Sequence, residues 1–282
     1  MRGVLLGVIF LFLSCSARAE DLATVRKTIE ASMLVTGNIL VGPQGRVEQF
    51  AIDRPEKIER GVLNLVKANI DQWVFEPQSQ DGAPVAVRNK MSVLVIGSKL
   101  ENGDFAFRLG GVSFLPFEKA LGTRISSDLM PFPRYPTNAA RAGATATVYL
   151  AVKVGTDGKV HDVVAEQTNL RYVAAESVMQ QLRKSFEDTS IAAARKWKFK
   201  PPVIGEDADE PYWTVRVPCD YLLGAAKPRY GKWEAYVPGP RHPIPWKGLR
   251  DMPGFSPDTM VADGNVYQAG EGLRLLTPLQ GG

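Results

Sequence analysis

Apolar and polar positions along this chain fall into two stretches laid out in the same order. In the first, Leu34 to Val41 is rich in strand formers and Gly42-Pro43-Gln44-Gly45 has turn chemistry. Val47 to Ile52 then returns, which predicts a hairpin. Ile58, Val62, Leu65, Val66, Ile70 and Trp73 recur at helical spacing, so Glu56 to Trp73 is predicted as an amphipathic helix. Pro77 lies just beyond it, Asp81-Gly82 makes a turn, and Val85 to Ile96 alternates as a strand with one covered face. The Asn102-Gly103 turn predicts one more strand over Glu101 to Leu115. Ahead of the hairpin, Leu22, Val25, Ile29 and Met33 have looser helical spacing and predict a short helix over Asp21 to Met33.

The second stretch opens at Pro131-Phe132-Pro133-Arg134-Tyr135-Pro136. Asn138 to Ala142 reads as one helical turn closed by Gly143. Thr145 to Val154 is apolar at every second place, which predicts a strand with one buried and one wet face. Asp157-Gly158 is a hairpin turn, and Val160 to Gln167 is the returning strand. Val173, Val178, Leu182 and Phe186 suggest an added helix before Ile191 to Trp197. An alternating run from Trp213 to Leu222 completes the set.

Set side by side, the stretches share a pattern. Val41-Gly42-Pro43-Gln44-Gly45-Arg46-Val47 matches Val154-Gly155-Thr156-Asp157-Gly158-Lys159-Val160. Trp73-Val74-Phe75-Glu76-Pro77 matches Trp197-Lys198-Phe199-Lys200-Pro201. An internal repeat implies two small modules of one kind. The copies diverge in length: 28 residues separate Gly45 from Trp73, and 39 separate Gly158 from Trp197. Residues 118–130 lack clear periodicity and are read as a linker. From Gly224 to Gly282 the chain turns dense in Pro and Gly, with Trp233, Tyr236, Trp246, Phe255 and Tyr267 interleaved. Disordered tails are poor in aromatics. This extension is therefore expected to be irregular but anchored, lying against the second module.

Length and composition fit this division. A chain of 282 residues holds roughly two domains of ordinary size. The formal net charge of +4 does not point to nucleic acid, because Lys and Arg form no cluster beyond pairs such as Arg26-Lys27 and Arg183-Lys184. The N-terminus has the layout of a secretion signal. Arg2 is its positive region, Gly3 to Ser14 its apolar run of about a dozen residues, and Ala17-Arg18-Ala19 its cleavage site. The expected boundaries are a signal over 1–19, a first module over 20–117, the linker over 118–130, a second module over 131–223 and the extension over 224–282. Cleavage before Glu20 places the mature protein in the periplasm; a lipid-modified Cys15 is the alternative. Cys219 is then the one cysteine left, in an alternating strand where a small apolar side chain fits.

Little suggests catalysis. His161 and His242 are the only histidines, and neither has metal-ligand spacing to another ligand. Phosphate loops, G-x-S-x-G and G-x-G-x-x-G are absent from the sequence. Glu206, Asp207, Asp209 and Glu210 form an acidic loop, read as a solvated turn. The expectation is a non-enzyme with no cofactor and no metal.

The second module resembles the C-terminal domain of the TonB family, the energy transducers of Gram-negative envelopes. The residues that carry the resemblance are Arg134-Tyr135-Pro136, Ala139-Ala140, Gly143, Val148-Leu150-Val152-Val154, Asp157-Gly158, Val160, Ala192-Ala193-Ala194-Arg195 and Trp197-Lys198-Phe199-Lys200-Pro201. The first module looks like a degenerate relative that keeps Gly45 and the Trp73-to-Pro77 motif. The resemblance implies an α+β fold in which each module is a three-stranded antiparallel sheet with a packed helix. Trp197 and Phe199 would then be core, and Pro201 would stop the helix. It also implies binding by strand addition, in which a short segment of an outer-membrane receptor pairs with the free edge of the last strand. Carried to this chain, that edge is Thr214, Val215, Arg216 and Val217, with Cys219 and Tyr221. The alternative is a structural envelope component, monomeric or homodimeric, whose edge the extension covers. The anchor and Pro-rich spacer of a full transducer have no counterpart in this sequence.

Overall fold

The computed structural model describes residues 25–100, 105–117, 122–205, 207–224, 229–246 and 252–279. The signal, Cys15, Glu206 and the first four residues of the expected linker lie outside them. Two antiparallel sheets dominate, each with one helix on one face and its own apolar core.

In the first sheet, β1 (Glu30–Val41) is central. It pairs with β2 (Val47–Ile52) through the Gly42–Gly45 hairpin. On its other side it pairs with β5 (Val87–Lys99) over eleven residue pairs. Between them lie helix α1 (Arg60–Ile70) and a small hairpin of β3 (Ser79–Gln80) and β4 (Ala83–Pro84). β6 (Phe105–Pro116) completes the outer side of β5. The odd-numbered residues Met33, Val35, Ile39 and Val41 of β1 point to α1, whose Val62, Val66 and Ile70 are fully buried.

The second sheet repeats this order. β8 (Ala146–Gly155) is central, between β9 (Val160–Leu170) and β11 (Tyr212–Tyr221). Before it come β7 (Ser126–Leu129) and the short helix α2 (Thr137–Ala142), closed by Gly143 at φ 69°. Helix α3 (Glu176–Ala194) packs on β8 and β9 through Met179, Leu182 and Phe186. β10 (Lys198–Lys200) pairs with β7. In the extension, β12 (Glu234–Tyr236) joins β1 and β13 (Tyr267–Gln268) joins β11.

The hairpins agree at the level of single hydrogen bonds. The Gly45 carbonyl accepts the Phe75 N–H at 2.7 Å, and the Gly158 carbonyl accepts the Phe199 N–H at 2.8 Å. Both glycines have positive φ, 76° and 72°. A Cβ on Gly45 would stand 2.0 Å from the Phe75 oxygen, and one on Gly158 would stand 2.3 Å from the Phe199 oxygen. So each W-x-F-x-P segment lies across its hairpin turn, and the turn glycine makes room for it. Trp73, Phe75, Trp197 and Phe199 are all buried core residues.

Several expectations are corrected. The predicted helix over Asp21 to Met33 is only a helical turn at 25–27 among the described residues, and Glu30 onward is β1, where pairing with β5 outweighs loose helical spacing. The two helical segments expected between 172 and 197 are one helix of 19 residues, against 11 in α1. That helix ends before Trp197, so Pro201 does not stop it; the motif itself runs as strand. Residues 126–129, expected to be linker, form β7. Both sheets also exceed three strands, because β6, β12 and β13 are added.

The extension lies against both sheets, not one. Trp233 stacks on Phe107 at 5.4 Å, and β12 then pairs with β1. The next residue, Val237, exchanges two backbone bonds with Leu170 of β9. Trp246 donates to the Thr214 hydroxyl, and the Gly254 carbonyl accepts the Val112 N–H of β6. After β13, Leu273 and Leu275 enter the first core. The segment therefore crosses from sheet to sheet several times.

Candidate functional site

β11 alternates between two environments. Val215, Val217, Cys219 and Tyr221 point into the second core, each at most 3 % exposed. The Tyr221 hydroxyl meets Ser190 of α3 at 2.6 Å. Burial pushes the Cys219 thiol up to about 12, so it is neutral and unreactive at ordinary pH. Thr214 and Arg216 point to the opposite, helix-free face. There Arg216 makes a bidentate pair with Glu166 of β9, at 2.7 and 3.2 Å, and its guanidinium lies 4.5 Å from the Phe255 ring. Arg241 of the extension adds two more bonds to Glu166, at 2.7 and 3.1 Å. This face was expected to be wet; the extension covers it.

The outer edge of β11 is occupied by the chain itself. β13 pairs Gln268 with Val215 and Tyr267 with Arg216, and the Ala269 N–H donates to the Thr214 carbonyl at 2.8 Å. Peptide groups alternate sides along an antiparallel strand. Thr214 and Arg216 therefore turn their N–H groups outward, and Val215 turns its own toward β8. Pro218 falls at the next outward position and has no N–H to offer. The six residues carried over by resemblance thus lie on one strand, with every side chain buried and part of the outward backbone met by β13 and Ala269. The β9 edge is covered as well, by Val237 and by the His242 N–H on the Glu166 carbonyl.

A second feature was not legible in the sequence. The helix-free faces of the two sheets enclose a cleft of about 440 Å³, closed on one side by the extension. Leu34 and Leu94 come from the first sheet, Thr147, Tyr149, Arg171 and Asp220 from the second, and Tyr230, Lys232, Glu234 and Met260 from the extension. Arg171 bonds to Asp220 and, at 3.0 Å, to the Thr147 hydroxyl. Asp258 accepts hydrogen bonds from Asn169 and Tyr149, and its burial raises its pKa to about 6. Burial also raises the Glu234 carboxyl. Arg54 lies over the Tyr230 ring at 4.3 Å. Polar residues in strands are the sequence signal for such a site, but they read equally as a solvated face.

Nothing among the described residues groups three or more metal-ligating side chains. His161 is an exposed residue 3.2 Å from Asp157. Asp207 of the acidic loop serves as a local anchor: its carbonyl accepts the Trp213 indole N–H and its carboxylate accepts Gln268.

Comparison with known proteins places a resemblance on this second sheet. Residues 131–222 match the family model described as Gram-negative bacterial TonB protein C-terminal. Two curated relatives, both called Protein TonB, come from Xanthomonas campestris pv. campestris strains B100 and ATCC 33913. Each is 31% identical over 99 residues, which is 35% of this chain. The chain spans 38% of the length of either relative. No solved structure matches. The segment that carries β8, β9, α3, β10 and β11 is therefore similar to the C-terminal part of TonB.

Proposed function

We propose that this chain is a periplasmic protein-binding protein of the TonB C-terminal type, made of two divergent copies of that module. Its N-terminal 19 residues direct export. Its partners are envelope proteins, outer-membrane receptors in connection with TonB-dependent transport among them, and it catalyses no reaction. The match over 131–222 supports the second copy. The paired bonds from Gly45 to Phe75 and from Gly158 to Phe199, in sheets of like strand order, support the first.

The partner contact is strand addition at the outward backbone of β11. The observation that carries this reading is that the edge is held by a very short strand. β13 contributes two paired residues, against ten for β8 on the inner side. A receptor segment able to form a longer ladder would displace it, because main-chain pairing supplies the affinity. The companion reading, a structural envelope component, draws on Pro218 and on the coverage of the β9 edge.

Crosslinked copurification from envelopes separates the two. Ala269→Pro removes the donor that the residue after β13 offers to Thr214 and should raise receptor capture several-fold. Thr214→Pro removes an outward donor of β11 and should abolish capture, while Thr214→Ala keeps that donor and should retain it. Circular dichroism accompanies each variant. A folded Thr214→Pro protein with undiminished capture eliminates strand addition at this edge. A monomer or homodimer that captures no receptor, with or without Ala269→Pro, leaves the structural component as the function.

A further inference from the structure

The cleft between the two sheets is separate from the β11 edge, and its chemistry does not depend on strand addition. Arg54, Arg229 and Lys232 are among its lining residues, and none of them has a carboxylate partner among the described residues. Arg54 is held in place by its stack on Tyr230, whose own hydroxyl donates to the Asp53 carbonyl at 2.7 Å. Asp220 and Glu234 line it too. Asp220 is occupied by Arg171 and Thr147. Glu234 is different: it accepts no hydrogen bond among the described residues, and the charge that opposes its desolvation is that of Arg171, which Asp220 already holds. A partly buried carboxylate that accepts no hydrogen bond gains from a cationic donor placed against it. Leu34, Leu94 and Met260 give the space between an apolar wall.

The spacing is informative. Lys232 lies two residues before Glu234, the first residue of β12, so their backbones are at most about 7 Å apart. Two residues of extended peptide reach about the same distance. The volume of about 440 Å³ is within the range of small-ligand sites and leaves room for apolar side chains.

We propose that this cleft binds a short zwitterionic peptide of two or three residues. Its carboxylate lies against Lys232 and Arg54, its ammonium donates to Glu234, and its apolar side chains rest on Leu34, Leu94 and Met260.

Calorimetric titration with dileucine, its C-terminal amide and its N-acetyl form tests this on the full chain. Dileucine should bind, and each capped form should bind about tenfold or more weakly, the usual cost of a lost charged hydrogen bond. Lys232→Ala should weaken dileucine by a similar factor yet leave the amide unchanged. Glu234→Gln should weaken dileucine yet leave the acetylated peptide unchanged. Lys232 is exposed and Glu234→Gln keeps the side-chain shape, and thermal unfolding without ligand checks that both variants fold. Absence of dileucine binding to the folded protein, or equal binding of free and capped peptides, overturns the proposal.

Discussion

At the scale of single residues, two glycines decide whether each W-x-F-x-P segment can lie on its hairpin. Positive φ alone costs a side chain about 1–2 kcal/mol. At Gly158 a Cβ would also collide with the Phe199 carbonyl oxygen at 2.3 Å, and the bond from the Phe199 N–H would be lost. Gly158→Ala should therefore cost about 2–4 kcal/mol, the strain plus one hydrogen bond. Gly45→Ala should behave alike in the first sheet. Gly143 has a similar φ of 69° but open space around it, so Gly143→Ala should show only the strain. Chemical denaturation of the three variants checks the order; equal losses at Gly143 and Gly158 would refute the packing argument. The turn glycines were plain in the sequence. Their contact with phenylalanines 30 and 41 residues later was not, because nothing local to a turn says what will cross it.

At the scale of elements, periodicity was a good guide where an element buries one face against one neighbour. Helix α1, β5, β8 and the two hairpins follow from it. It failed where tertiary pairing overrides a weak local pattern, as in β1 from Glu30 and in β7. It also misread the polar face of the second sheet as wet. Glu166 joins three elements there: β9, which carries it, β11 through Arg216, and the extension through Arg241. Glu166 and Arg216 side chains are 2 % and 5 % exposed, so the pair is buried. Glu166→Ala strips Arg216 of its carboxylate inside the protein. Breaking a buried pair from one side costs on the order of 3–5 kcal/mol. Thermal unfolding of Glu166→Ala should show a loss of that size, and it should also release Arg241 and the adjoining stretch of extension to proteolysis. A loss below about 1 kcal/mol, the level of an exposed pair, would mean that water reaches the site.

For the whole molecule, the extension is the part least readable from sequence. Its Pro and Gly content gives no period, and its aromatics announce anchorage without naming the surface. The cleft shares this fate, since its walls come from strands more than a hundred residues apart and from the extension. Because the extension enters both cores, the two should unfold together. The full chain is expected to melt in one transition. A chain ended at Leu223 loses Leu273 and Leu275 from the first core, and a buried leucine is worth about 2–5 kcal/mol. Scanning calorimetry of that truncated chain should show two transitions, the lower from the first sheet. One transition at an unchanged midpoint would mean that the extension is ornament.

The outermost position of each sheet is filled in a different way: by β6, a continuous neighbour of 12 residues, in the first, and by β13, two residues returned from far along the chain, in the second. Two sheets of like order on one polypeptide are each other's nearest wrong partners, since a strand that fits one slot nearly fits the other. Domain swapping and misassembly between copies are the characteristic failure of such chains. Unequal fillers make the slots non-interchangeable. β6 follows β5 closely in the chain and is held to it over eleven residue pairs, so it stays with its own sheet, and the clip is too short to hold the long edge. The asymmetry thus keeps two sheets of like order from exchanging their parts.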